Sequence, residues 1–243
     1  MPTPRIYLPQ PLASGTTTQL DERAQRHAVK VLRLKPGAAL ILFNGDGGEY
    51  HATLEDTRRE GAQVRVGEHI AQERESPLDI ELLQGVARGE KMDLILQKAV
   101  ELGVNRIVPL ATERSQVKLS GERLDKRMQH WRGIIIHACE QCGRNRLPEL
   151  AGMQTLDTAL AAHAPDRLGL LLDPTAERGP HDLAQTPALS LLIGPEGGLA
   201  PAERDQARAA GFQGVRLGPR ILRTETAGLA ALAALQCLYG DLR

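Results

Sequence analysis

From residue 77 onward, short apolar runs alternate with longer stretches in which apolar residues recur every three or four positions, and few folds satisfy such a pattern. The runs 79–86, 106–110, 168–172, 189–193 and 214–217 are too short for helices and too continuously apolar for half-exposed strands, so they read as buried strands. The stretches 91–102, 122–141, 155–163, 201–210 and 227–239 read as helices. In 91–102, Met92, Ile95, Ala99 and Leu102 share a face, Lys91, Lys98 and Glu101 point elsewhere, and Gly103 supplies a stop. Alternation of this kind predicts an α/β domain with a parallel sheet covered on both faces.

The first seventy-odd residues follow another rule. A short helix over 21–32 precedes β-type runs at 38–43, 49–54 and 63–70, and Asn44-Gly45-Asp46-Gly47-Gly48 between the first two is a strong hairpin turn. A small β-barrel-like domain over 1–72 is expected. A polar, proline-terminated linker at 72–77 then leads to a second domain over 77–243.

Composition narrows the function. Aromatic residues make up only 2% of the 243-residue chain, so rows of stacked bases on a sheet are not expected, and any nucleic-acid contact must rest on Arg, Lys and shape. The formal net charge of zero conceals an uneven distribution, because residues 88–146 carry 12 basic and 7 acidic side chains. That excess suits either a solvated face or a phosphate-contacting surface. No leader-like segment and no bilayer-length apolar run is present, which is read as a cytoplasmic protein. The three cysteines form neither a disulfide framework nor a zinc set. Cys139 and Cys142 fall near the close of a helix, and Cys237 is remote with no His partner in spacing, so the first two are read as small inert side chains and no metal is expected.

Two glycine loops follow apolar runs near the end of the chain: Ile193-Gly194-Pro195-Glu196-Gly197-Gly198, and Leu217-Gly218-Pro219-Arg220-Ile221-Leu222-Arg223-Thr224-Glu225. They are expected to leave the carboxyl ends of neighbouring strands, the edge where open α/β sheets bind ligands. Neither matches the glycine patterns of dinucleotide or triphosphate cradles, and no lysine occurs after Lys126. Apolar residues, closely approaching glycines and mixed charges suit a nucleoside-like ligand without phosphates, such as S-adenosylmethionine. The alternative is that the glycines serve only tight turns and helix starts. The apolar helix 227–239 is read as core or as a subunit interface.

Laid out in order, several segments closely resemble the SPOUT-class 16S rRNA (uracil-1498-N3)-methyltransferase family, from end to end. They are Arg5-Ile6-Tyr7, His27 through Val31-Leu32-Arg33, Lys91-Met92-Asp93 to Lys98 with Glu101-Leu102-Gly103-Val104, Glu113-Arg114-Ser115, Glu140-Gln141-Cys142-Gly143-Arg144, and the two glycine loops. The resemblance implies an N-terminal PUA-like barrel that helps hold RNA and a C-terminal domain passing through a deep trefoil knot. It also implies a bent S-adenosylmethionine in the knot loops and a homodimer joined through that region. After Gly197-Gly198 the chain carries Leu199-Ala200 where relatives tend to have Phe and then Ser or Thr. The helix at 201 is therefore expected to lack a side-chain cap, with Pro201 compensating in part and the loop more mobile.

Methylation of uracil N3 needs either a general base for the N3 proton or cations that stabilise the uracil anion. Glu196 and Glu225 are the candidate bases, and Arg223 is the candidate anion stabiliser. Glu225 also suits the first turn of a helix for dipole reasons alone, and Arg223 could simply pair with it. Leu172, Ile193, Gly194, Gly197, Gly198, Leu217, Gly218, Ile221 and Leu222 are expected at the cofactor. Arg5, His27, Arg33, Arg88, Lys91, Arg114, Lys118 and Arg144 are expected at 16S rRNA of the small ribosomal subunit. Two competing functions stand beside this one: a non-catalytic rRNA-binding assembly module, and a SPOUT methyltransferase acting on another RNA or on a ribose hydroxyl.

Overall fold

The computed structural model describes residues 3–57 and 61–242. By contact, residues 1–75 group with 136–147 as one unit, and 76–135 group with 148–243 as another. The first unit thus takes in a later segment that the sequence assigned to the second domain.

The first unit is built on a five-stranded mixed sheet in the order β1-β3-β4-β5-β2, from β1 (Arg5–Tyr7), β2 (Thr17–Gln19), β3 (Ala39–Phe43), β4 (Glu49–Asp56) and β5 (Gln63–Ile70). β1 and β2 are three residues each, too short to show a period, and sequence reasoning missed both. The 44–48 turn joins β3 and β4 as an antiparallel pair, with Leu42 opposite Tyr50. Along β4 and β5 burial alternates, Ala52, Leu54, Val64 and Val66 facing a core with Ile6, Leu8, Leu40 and Leu42. Fully burying one such side chain is worth about 1.5–3 kcal/mol. The expected helix at 21–32 begins as α1 (Glu22–Gln25), where the Asp21 carboxylate accepts the Ala24 amide at 2.7 Å, and widens into a π-helix over Arg26–Val31.

The second unit contains the parallel sheet. Its strands are β6 (Asp79–Gly85), β7 (Arg106–Ala111), β8 (Glu149–Leu150), β9 (Gln154–Thr155), β10 (Leu168–Leu172), β11 (Ala188–Ile193) and β12 (Gln213–Val215). The order is β12-β10-β11-β6-β7-β8, with β9 also on β7. All these pairings are parallel. β6, β7, β10 and β11 are buried through nearly their whole length, as a sheet covered on both faces requires. One expectation needs correction: the strands before the two glycine loops, β11 and β12, are not neighbours, because β10 lies between them and pairs with both. Strand order is set by long-range crossovers that local pattern does not encode.

The helices are α2 (Glu90–Glu101), α3 (Gly121–Cys142), α4 (Leu156–Ala161), α5 (Pro201–Ala209) and α6 (Thr224–Tyr239). α2 buries Met92, Ile95, Leu96, Ala99 and Val100 and packs against α6. The fully buried Gln236 joins the two, donating from Nε2 to the Leu102 carbonyl at 2.8 Å, while its Oε1 accepts from the Ser76 hydroxyl at 2.7 Å. Among the described residues no helix is long and apolar enough to cross a membrane.

Candidate active site

Three loops at the carboxyl ends of β10, β11 and β12 enclose a cavity of about 590 Å³. It is lined by Leu172 and Asp173 at the end of β10, by residues 193–199 from the end of β11 onward, and by residues 215–217 and 220–224 from the end of β12 onward, with Ala227 beyond them. Lys91 from α2, Arg114 from the β7 loop and Arg204 from α5 complete the wall. Of the nine residues expected at a cofactor, all but Gly218 line it. Leu172 belongs there because β10 separates the two glycine-loop strands.

Glycine is required at two points. Gly198 has φ +66°, a left-handed conformation that side chains disfavour, and its amide closes the loop by donating to the Pro195 carbonyl at 2.8 Å. At Gly194 an added Cβ would lie 2.8 Å from the Gly198 carbonyl carbon and the Leu199 nitrogen, so the loop folds over Gly194 only because no side chain is present.

The loops are tied together below the cavity. The Thr224 hydroxyl donates to the Gly194 carbonyl at 2.6 Å and accepts from Nε2 of the fully buried Gln84 at 3.2 Å. Asp173, almost completely buried, accepts from the Thr175 amide and hydroxyl at 2.9 and 2.7 Å and from Arg208 at 2.7 Å. Burial opposes its ionisation, but the Thr175 bonds, with Arg204 and Arg208, outweigh it and hold the carboxyl below its ordinary value. Gln84, Asp173 and Thr224 were not anticipated; their roles depend on partners distant in sequence.

Glu196 accepts the Arg88 amide at 3.0 Å and pairs with Lys91 at 3.3 Å. Burial works against its charge, but these donors and its own amide prevail, so its carboxyl titrates below the usual glutamate range. Glu225 does not line the cavity, and its Oε2 is buried without a hydrogen-bond partner among the described residues. Arg223 occupies the N-cap position of α6, is exposed, lines the cavity, and forms no ion pair with Glu225 or any other described residue. Ile221, also on the lining, is 85% exposed.

The α5 helix lacks a side-chain cap and opens on Pro201, as expected. Ala200 offers no side-chain acceptor, but the Glu203 carboxylate, at the third helical position, accepts the Ala200 amide at 2.8 Å and the Glu113 amide at 2.8 Å. The Ala200-Pro201-Ala202-Glu203 spacing carried that signal.

The residues expected at RNA fall into two groups. Arg33, Arg88, Arg114 and Lys118 are exposed, and Lys91 is half-buried at the cavity wall. Arg33 has a left-handed backbone with φ 54°. Arg114 approaches Gly197 and donates to its carbonyl at 3.3 Å. Arg5 and Arg144, by contrast, are engaged inside the first unit: Arg5 with Glu49 and, at 2.5 Å, with Asn145, and Arg144 with Glu75 at 2.5 Å. The Arg144 side chain is only 5% exposed and the Arg5 side chain 9%, so neither is placed to meet a phosphate. His27 is partly buried beside Glu140.

A family model described as an RNA methyltransferase domain matches residues 74–236, and one described as an RNA methyltransferase PUA domain matches residues 20–67. The chain is 34% identical to the ribosomal RNA small subunit methyltransferase E of Buchnera aphidicola from Schizaphis graminum, over 98% of each chain. A methyltransferase from Legionella pneumophila, solved with bound cofactor SAM, superposes with a TM-score of 0.97 at 43% identity over 100% of both chains. A ribosomal RNA small subunit methyltransferase E from Neisseria gonorrhoeae, bound to S-adenosyl methionine, gives 0.93 at 40% identity over 99% of this chain and 100% of its own. On these grounds the chain belongs to the RNA methyltransferase family that includes the ribosomal RNA small subunit methyltransferases E.

Proposed function

We propose that this protein methylates N3 of a uracil in 16S rRNA of the small ribosomal subunit, at the position equivalent to 1498, using S-adenosylmethionine held in the cavity at the ends of β10, β11 and β12. The cavity itself carries the reading. Its lining is apolar at Leu172, Ile193, Leu217 and Leu222 and glycine-thinned at 194 and 197–198, which suits a nucleoside-like ligand without phosphates. Among the described residues the amides of Leu217, Gly218, Ile221 and Leu222 donate to no protein acceptor, which leaves backbone donors for a purine. When bound, S-adenosylmethionine supplies a methyl carbon activated by its sulfonium.

The chain's own groups do the rest. The tied loops fix the direction in which a target base must approach, and positioning of this kind supplies much of the rate in a displacement between two bound reactants. Arg223, uncommitted at the cavity wall, donates to a uracil carbonyl oxygen and stabilises the anion left as the N3 proton departs to solvent. Glu196 is a weak base, being held as a carboxylate by Arg88 and Lys91; its task is to anchor those two residues. Glu225 lies off the cavity and sets the first turn of α6. Arg88, Lys91, Arg114 and Lys118 contact backbone phosphates from the second unit, and Arg33 does so from the first.

Resemblance supports a trefoil-knotted path for the C-terminal segment, a homodimer joined across the exposed side of α6, where Cys237 and Leu238 face out, and a cytoplasmic setting. The test is to incubate the purified protein with labelled S-adenosylmethionine and small subunits from cells lacking the modification, then to identify the methylated nucleoside. N3-methyluridine is expected. Arg223→Gln should lower kcat on the order of a hundredfold with little change in cofactor affinity. A label on a ribose hydroxyl, or no cofactor binding by calorimetry, overturns the reading.

A further inference from the structure

The first unit holds a cluster of ligand-bearing side chains that methyl transfer does not use. His137 and Glu140 lie three residues apart on α3, so the helix presents both on one face. Across from them, His27 comes from the π-helical segment after α1. The Glu140 Oε2 atom lies 3.0 Å from His137 Nδ1 and 3.9 Å from His27 Nε2, and the three ligand atoms all fall within 4.8 Å of one another.

The two oxygens of Glu140 are in different circumstances. Oε1 is occupied, accepting the Tyr7 amide at 3.0 Å and Arg23 Nη1 at 2.9 Å. Among the described residues, Oε2 approaches only the imidazoles. Donors on the outer oxygen of a ligating carboxylate are the usual outer shell of a metal site, fixing its orientation. A tetrahedral zinc with bonds of about 2.0–2.1 Å needs ligand atoms roughly 3.3 Å apart, and the two separations from Oε2 bracket that figure.

The His137 side chain is 52% exposed, so the cluster opens to solvent and keeps room for a fourth ligand.

We propose that His27, His137 and Glu140 form a binding site for a single divalent transition-metal ion, zinc by ligand type, with water as the fourth ligand. The mixed imidazole and carboxylate set suits zinc over magnesium or calcium. Sequence reasoning weighed only the cysteines and expected no metal, because His27 and the 137–140 turn are remote in the chain.

The probe is zinc chloride, titrated by calorimetry into the full-length, chelator-stripped protein in a Cys142→Ser, Cys237→Ser background that removes accessible thiols. Cobalt substitution provides the spectrum. One-to-one binding is expected, with visible bands of a four-coordinate ion and no thiolate charge-transfer band. His137→Ala, at the exposed ligand, should weaken binding at least about tenfold with an unchanged circular dichroism spectrum. Arg23→Met should weaken it by about 10- to 100-fold through the outer shell. Absence of one-to-one binding, or an affinity unchanged by His137→Ala, overturns the site and leaves a plain imidazole–carboxylate pair. Because the readout is metal affinity, it is independent of methyl transfer.

Discussion

Glu196 and Arg223 both carry charge at the cavity, but one is held by partners and the other is not. The Arg88 amide and Lys91 hold Glu196 as an anion, whereas the Arg223 guanidinium has no protein acceptor among the described residues. Glu196→Gln should therefore spare cofactor affinity and leave kcat within about threefold, while the KM for RNA rises as Lys91 loses its anchor; steady-state kinetics separate the two. Gly194→Ala should do the opposite, lowering cofactor affinity at least about tenfold by calorimetry, since backbone rather than a flexible side chain occupies the space of the new methyl. The nearby positions were legible because two glycine loops after apolar runs are a strong local signal. Gln84 and Asp173 were not, because a buried amide or carboxylate gains its meaning from Thr224, Thr175 and Arg208, which only folding brings to it.

Among the secondary-structure elements, continuous apolar runs located β6, β7, β10 and β11 closely, and α2 and α3 followed from their periodicity. β1, β2, β8 and β9 escaped, since two or three residues cannot display a pattern. α5 is the instructive case. It has no Ser or Thr cap, and Glu203 instead holds the Ala200 amide just ahead of the helix and the Glu113 amide beyond β7. Glu203→Ala removes acceptors from two amides at once and should cost about 1–3 kcal/mol, visible as a lower midpoint in urea at unchanged m-value. The same substitution should loosen Arg114, next to Glu113, and so weaken RNA binding before cofactor binding.

Across the whole molecule, four carboxyls, Glu49, Glu140, Asp173 and Glu196, share one electrostatic situation. For each, burial opposes ionisation, and hydrogen bonds together with the charge of neighbouring cations overcome it, so each titrates lower in the folded protein than in the unfolded chain. Unfolded chains then bind protons more readily in acid. The stabilisation is fully present at neutral pH and is lost as pH falls through the folded values. Thermal midpoints should hold steady near neutrality and drop between about pH 5 and about pH 3, with both units affected because Glu49 and Glu140 belong to the first and Asp173 and Glu196 to the second. By contact the chain divides near residue 75, inside the proline-ended polar stretch, and residues 136–147 group with the first unit although α3 runs unbroken through residue 135.

The Thr224 hydroxyl, resting on the Gly194 carbonyl, makes the floor of the cavity and the first turn of the last helix a single piece. Occupancy above that floor and anchoring of the chain's tail are thereby one equilibrium. Hydrogen–deuterium exchange of the amides opening α6 should slow when S-adenosylmethionine is added, and a protease that trims the C-terminus should be resisted in proportion to ligand saturation.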